Sequence, residues 1–277
     1  MTLRLLGDVV ARGSRSLVHA YGHGAVMKVP KPATPASWIE AEAEYVEAVR
    51  AVGAPAPALL GIERIFGRPA SIWERVDGPS MWEQVVDRPA RSAELGRTLA
   101  EVQLALFELL PPVTLPDQRD RLVSKIRWSA ANVDASLGVA LELLPERNAG
   151  PRLCHGDLHP SNVIMSRDGP VLVDWFDASR GDPIADVARS SLTLLAHGGA
   201  TPSHLPGADL HTLTVLTQAY LSTLQDRLDF APALFSRWQA VNAVARLAEH
   251  VSHEPLLEVW RKFEFQRSAA EAQAAAG

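Results

Sequence analysis

Between His155 and Trp175 the chain reads HGDLHPSNVIMSRDGPVLVDW, a polar knot of His, Asp, His and Asn followed by two short apolar runs. The runs are rich in Val and Ile and break at Arg167-Asp168-Gly169, a pattern that predicts a strand pair closing on a tight turn. The polar knot before it predicts a loop. Asp157, Asn162 five places later and Asp174 at the end of the second run are therefore presented by a loop and a strand end, where side chains do chemistry more often than they fill a core.

On either side the periodicity changes character. Upstream, DVVARG, SLVHAYG and AVMKVPKP are short Val-rich runs separated by Gly-containing turns, which predicts a small antiparallel sheet. From Trp38 to Val52 the spacing is helical, with Gly53 as the stop and Pro55 and Pro57 barring continuation. Ile39, Val46 and Val49 form the apolar stripe of that helix and Glu42 lies on the same side, whereas Glu40, Glu44 and Glu47 face away. An acid turned inward calls for a buried cation. A second strand pair is predicted in LLGIERIFG and PASIWERVDG, after which VDGPS breaks the pattern.

Beyond residues 76 to 80 the chain is mainly helical. Leu95, Leu99, Val102, Leu106 and Leu109 repeat at helical spacing between Ala90 and Leu110. In GDPIADVARSSLTLLAHGG, Asp182 is placed to cap a helix, Pro183 to open it and Gly198 to close it. Three more helices are expected from about Asp209 to Arg267, with Trp238 and Trp260 in the core. Asn242, Arg246, Glu249 and His253 align on one helix face; a solvated face is the plainer expectation and an acceptor-binding wall the alternative.

At 277 residues, with 47% of them hydrophobic, the chain can build one large domain or two lobes. Its formal net charge of -5 and pI near 6.0 argue against nucleic acid as a partner. Cys154 is the only cysteine, so no intrachain disulfide forms. Asp8 and Arg12 interrupt the first residues where a secretory leader needs an apolar core, and no run reaches membrane-spanning length, so the expected location is the cytoplasm, with no membrane partner.

Phosphoryl transfer from a nucleotide asks the protein for positioning, a divalent cation on the phosphates and a group that receives the acceptor's proton. His155-Gly156-Asp157, four residues, then Asn162 has the spacing of a kinase catalytic loop, and Val173-Asp174-Trp175 follows where a metal-binding Asp comes after a strand. A cluster of Cys154, His155, Asp157 and His159 on Zn²⁺ or iron is the competing reading, and it leaves Lys28, Glu42, Asn162 and Asp174 without a task.

In HGDLHPSN, VLVDW and GDPIADVA the sequence resembles the aminoglycoside phosphotransferase and choline kinase family of kinase-like small-molecule phosphotransferases. The resemblance is sharp from about Leu153 to Ala188 and keeps its order over the first eighty residues. It implies an α+β, two-lobed protein-kinase-like fold, with a small N-terminal antiparallel sheet lobe over residues 1–78 and a larger, mainly helical lobe over 79–277. It also implies Asp157 as the catalytic Asp and Asn162 and Asp174 as Mg²⁺ ligands. Asp182 and Asp186, with His155, would support the loop. Lys28 in AVMK matches the strand lysine that contacts nucleotide phosphates, and Glu42 matches its helical partner. Gly13 and Ser14 in ARGSRS would cover the phosphates through backbone N–H groups. WERVDG resembles the hinge where adenine bonds the backbone near Glu74 and Val76. Asp177 is open between a second metal or acceptor contact and a turn cap.

The function implied is Mg²⁺-dependent transfer of the ATP γ-phosphate to a small-molecule hydroxyl, with GTP open as the donor. An antibiotic is one acceptor; a sugar, an amino alcohol or homoserine are others, and a silent nucleotide-binding protein is the rival outside enzymes. Gln103 stands where the family often has His. Charges from Leu192 onward nearly balance, which gives no argument for a polycationic acceptor. Protein kinase activity is disfavoured, because the helix opening at Pro183 leaves no room for an activation loop.

Overall fold

The computed structural model describes residues 6–13, 15–65, 67–145, 150–195, 205–249 and 251–276. Ser14 and Gly198, assigned above to a phosphate-covering turn and a helix end, lie outside them.

The Val-rich runs pair as expected. Strands β1 (Leu6–Arg12), β2 (Ser16–Tyr21), β3 (Ala25–Pro30), β4 (Leu59–Ile65) and β5 (Arg68–Glu74) form one antiparallel sheet in the order β1-β2-β3-β5-β4. Helix α1 (Ala36–Ala51) crosses between β3 and β4 and ends at Gly53, whose φ of 93° suits a residue with no side chain. Its buried face is Ile39, Glu42, Ala43, Val46 and Val49, so the helix periodicity placed the acid correctly. Ala25, Met27, Ile65, Ala70 and Ile72 make a small core of the sheet's own, while Ala43, Val46, Val49 and Trp73 join the large core of the helical part.

The segment leaving β5 is tied to the hairpin over residues 163–172. Met165 N donates to the Pro79 carbonyl at 2.8 Å and Ser80 bridges Ile164. A Cβ on Gly78 would lie 2.3 Å from the Met165 oxygen, so only glycine allows this approach. Ser80 then caps α2 (Met81–Asp87) in a reciprocal box with Glu83.

The rest is helical apart from two short ladders of strands. Helices α3 (Ser92–Phe107), α4 (Gln118–Asn132), α5 (Pro183–Thr193), α6 (Leu210–Leu228), α7 (Pro232–Arg246) and α8 (His253–Ala276) enclose a core that includes Trp175, Tyr220, Trp238 and Trp260. Strand β6 (Arg152–Cys154) pairs with β9 (Ser179–Gly181), and β7 (Val163–Ser166) pairs with β8 (Gly169–Leu172) around the turn at Arg167 and Asp168. Asp182 caps α5 through the Ile184 amide at 2.7 Å, with Pro183 in the first turn. The expected solvated face of Asn242, Arg246, Glu249 and His253 is overturned: Asn242 is 4% and Arg246 6% exposed, and α7 ends at Arg246. The Asn242 amide reaches the Ala185 and Trp238 carbonyls, so this face packs on α5.

Candidate active site

Lys28 leaves the middle of β3 and its Nζ donates to Glu42 Oε1 at 2.6 Å and to Asp174 Oδ1 at 2.9 Å. One ammonium thus joins the sheet, α1 and the end of the β7–β8 hairpin. Burial alone would drive the lysine's pKa down, but Asp174 and Glu42 outweigh it and raise it. Burial likewise opposes charge on Asp174, and Lys28 with Arg15 overrides it, bringing that carboxyl to about 2. Asp174 has φ of 65°, a left-handed conformation rare for a non-glycine residue and tolerated best by Asp and Asn.

The hairpin register brings Asn162 to the same end. Val173 N donates to the Asn162 carbonyl at 3.0 Å, and the Asn162 side-chain amide donates to the Asp157 carbonyl at 2.9 Å. The amide nitrogen is therefore committed to the loop, and the side-chain carbonyl oxygen is the end suited to a cation. An Asn oxygen and a carboxylate form a hard, oxygen-only donor pair that fits Mg²⁺ shared with phosphates, and they do not resemble a zinc site. Among the described residues no three His, Cys, Asp or Glu side chains converge on a point, so the competing cluster has no ligand set.

Asp157 is held by its neighbours from three directions. Its carboxylate Oδ1 accepts from Arg189 Nη2 at 3.2 Å, its carbonyl from Asn162, and its N–H donates to His155 Nδ1 at 3.3 Å. His155 Nε2 faces the Val173 carbonyl at 3.2 Å, which fixes the neutral tautomer with the proton on Nε2. Burial lowers the His155 pKa, and its ring packs on Trp175 at 4.6 Å. Asp186 Oδ1 accepts from Gly156 N at 2.8 Å, and Oδ2 accepts from His155 N at 3.2 Å and from Gln103 Nε2 at 2.9 Å. Gly156 has φ of 79°, and a Cβ there would fall 2.1 Å from the Asp177 carbonyl oxygen.

Asp177 is the centre of an ion-pair group that the sequence reading did not foresee. Its two oxygens accept from Arg15 at 3.3 Å, Arg121 at 3.3 Å and Lys125 at 3.0 Å. Burial favours the neutral acid, but Lys125 and Arg15 prevail and hold its pKa far below the carboxylate range. Arg15, next to Ser14, also covers the Phe176 ring at 4.5 Å. Gly13, Arg15, Lys28, Glu42, Asp174 and Phe176 line one cavity. At the proposed hinge, Glu74 N donates to the Ala58 carbonyl and Arg75 N to the Gly24 carbonyl, with Val76 next and partly exposed.

Lys28, Glu42 and Asp174 are thus brought into direct contact, and Asp157, Asn162, His155 and Asp186 form one bonded group. Asp182 stands apart as a helix cap. Arg189, Arg121 and Lys125 are additions, and Glu249, read above as part of a solvated helix face, joins them. Asp186 and Arg189 are three apart on a helix whose start Asp182 marks, so Arg189 was within reach of the periodicity argument. Arg121 and Lys125 are four apart on α4, a helix with no distinct apolar stripe to announce it.

A five-stranded antiparallel sheet over a helical lobe, with a lysine–glutamate pair at the junction and an Asp–Asn–Asp order beyond it, defines the protein-kinase-like class of fold. Within that class the chain belongs to the phosphotransferase enzyme family, whose sequence model matches residues 11–203. A comparison with curated proteins finds no significant match. Among solved structures, it is similar to aminoglycoside phosphotransferase APH(3'')-Id from Streptomyces rimosus, with TM-score 0.60, 18% identity and coverage of 86% of this chain and 92% of that one. It is also similar to a choline/ethanolamine kinase family protein from Mesorhizobium loti, with TM-score 0.54, 14% identity and coverage of 94% and 86%. A thermostable mutant of aminoglycoside phosphotransferase APH(4)-Ia, in ternary complex with AMP-PNP and hygromycin B, matches with TM-score 0.58, 16% identity and coverage of 92% and 94%. At such identities the likeness is one of fold. No helix among the described residues is long and apolar enough to cross a membrane.

Proposed function

We propose that the protein is a Mg²⁺-dependent kinase that transfers the ATP γ-phosphate to a hydroxyl of a small molecule, with the nucleotide between a sheet lobe ending near Gly78 and the helical lobe. The observation that carries this reading is the Lys28 ammonium shared between Glu42 and Asp174, which sets a fixed cation beside the candidate metal ligand. The nucleotide complexes of structural neighbours, with ADP or AMP-PNP, support the donor class, and a GDP complex among them keeps GTP as an alternative.

In this reading Asp157 accepts the hydroxyl proton while the hydroxyl oxygen bonds to the γ-phosphorus. The bond from that phosphorus to the β–γ bridging oxygen breaks, and its electron pair leaves with ADP. Arg189 fixes the Asp157 carboxylate and Asp186 fixes the loop, so the acceptor of the proton needs no rearrangement. Lys28 positions the phosphates, with Gly13 and Ser14 covering them and the backbone near Glu74 and Val76 holding the base. Asn162 and Asp174 would hold Mg²⁺, which supplies neutralisation of phosphate charge.

Mg²⁺-dependent release of ADP by the purified protein, measured with a mixed panel of hydroxyl acceptors, tests the reading. Acceptor-stimulated release supports it; absence of any nucleotide binding rejects it.

A further inference from the structure

A second cavity adjoins the candidate catalytic carboxylate through Arg189. Its walls carry Arg121, Lys125, Arg189 and Arg246 against Asp177 and Glu249. The acids are fully engaged. Asp177 Oδ1 accepts from Arg121 and Lys125 and Oδ2 from Arg15, while Glu249 Oε1 accepts from Lys125 and Oε2 from Arg189 and Arg246. A third acid on the wall, Asp186, is occupied by the amides of His155 and Gly156 and by Gln103.

The donors, in contrast, are in excess. Among the described residues Arg246, nearly buried, has Glu249 as its one acceptor, at 3.3 Å through Nε. A guanidinium offers several further N–H donors, arranged as a fork that suits two oxygens of one anion. The Arg121 Nε is buried without a partner. Burial and the adjacent Arg189 lower the Arg246 pKa, as expected for a cation short of negative charge.

Resting on the phosphotransferase reading, we infer that the acceptor carries an oxyanion, a carboxylate or a phosphate, close to the hydroxyl that is phosphorylated, and that Arg246 and Lys125 receive it. A polycationic acceptor would place its ammonium groups among four cations whose acidic neighbours are already taken. An oxyanion meets the free donors with charge-assisted bonds, and the hydroxyl beside it is delivered to Asp157.

The experiment is Mg²⁺-dependent ADP release with four acceptor groups: hydroxycarboxylic and hydroxyamino acids, sugar monophosphates, neutral sugars, and aminoglycosides. Stimulation by one of the first two groups is expected, and which one identifies the oxyanion. Stimulation by neutral or cationic acceptors and by neither anionic group overturns the inference. For the anionic acceptor that works, Arg246→Gln and Lys125→Gln should each raise KM about ten- to hundredfold, the loss of one charged hydrogen bond, with AMP-PNP affinity unchanged. Lys125 is 28% exposed at its side chain and serves as the test if Arg246→Gln fails to fold. An unchanged KM in the folded variants also overturns it. With the nucleotide site saturated by AMP-PNP, malonate and inorganic phosphate provide a readout without turnover: the one that mimics the acceptor should bind, and about tenfold more weakly to Lys125→Gln. Binding of neither probe counts against the inference. Failure of the underlying reading is distinct: AMP-PNP then does not bind, or it binds and none of the four acceptor groups stimulates ADP release.

Discussion

Gln103 and Asp186 meet in a site closed to solvent, Nε2 to Oδ2 at 2.9 Å, on the carboxylate that also receives the amides of His155 and Gly156. Gln103 in turn accepts from the Tyr220 hydroxyl, so a chain of bonds runs from α6 through α3 to the loop at His155 and Gly156. Gln103→Leu should cost about 1–3 kcal/mol in urea unfolding, the penalty for leaving buried groups unpaired. It should also reduce turnover without a matching change in nucleotide affinity. Equal stability and turnover in the variant would show that the loop is set by other contacts.

Asp157→Asn keeps the shape of the side chain and removes its capacity to take a proton. Turnover should fall roughly 10²- to 10⁴-fold while nucleotide affinity stays near that of the parent. Calorimetric titration with AMP-PNP beside an ADP-release assay separates the two effects, and near-normal turnover removes Asp157 from the role of base.

Lys28→Met leaves Glu42, only 5% exposed, as a buried acid without its cation. A loss of about 3–5 kcal/mol is expected on breaking one side of such a pair, together with weak nucleotide binding. Lys28→Met combined with Glu42→Leu should recover part of the stability but none of the binding. Recovery of binding would mean that Lys28 does not touch the nucleotide.

Glu249 gives the fold an acid-sensitive joint. Burial raises its pKa, but Arg189, Lys125 and Arg246 outweigh burial and the nearby Asp177 and bring it from 4.5 to about 2. The unfolded chain therefore takes up the proton first as pH falls. The stabilisation is complete above about pH 4.5 and is lost as pH drops toward about 2. Glu249→Gln should be less stable than the parent at neutral pH, with the gap narrowing at pH near 3; a gap constant across the range would refute the linkage.

Gly156→Ala should fail to reach the native loop. The new Cβ meets backbone, not a yielding side chain, and the residue sits at positive φ. Soluble expression and the unfolding midpoint report this, and a midpoint equal to the parent's would show that the loop can shift without penalty.

How much of this was readable in advance differs by region. The sheet, α1 and α5 were legible because Val-rich runs, Gly53, Asp182 and Pro183 are local signals. Glu42 was legible because an acid on an apolar stripe is an exception within one helix. Helix α4 gave no such signal: its few buried residues, Leu122, Ile126 and Ser129, sit among Arg, Lys, Asp and Gln, so nothing in the sequence sets Arg121 and Lys125 apart from ordinary surface charges. Asn242 and Arg246 read as solvated because what covers them, α5, comes from a distant part of the chain. Acids and bases that pair across distant segments show their purpose only after folding, and the charged wall of the second cavity is built from such pairs.

The pairing of Pro79 and Ser80 with β7 also limits how the two halves can move. Lys28 fastens the sheet a second time, to Asp174, and Arg15, just before β2, fastens it a third time, to Asp177. Three ties, one of backbone and two of charge, act as a seam: cutting one stitch leaves the sheet held to the hairpin and the turn after it by the other two.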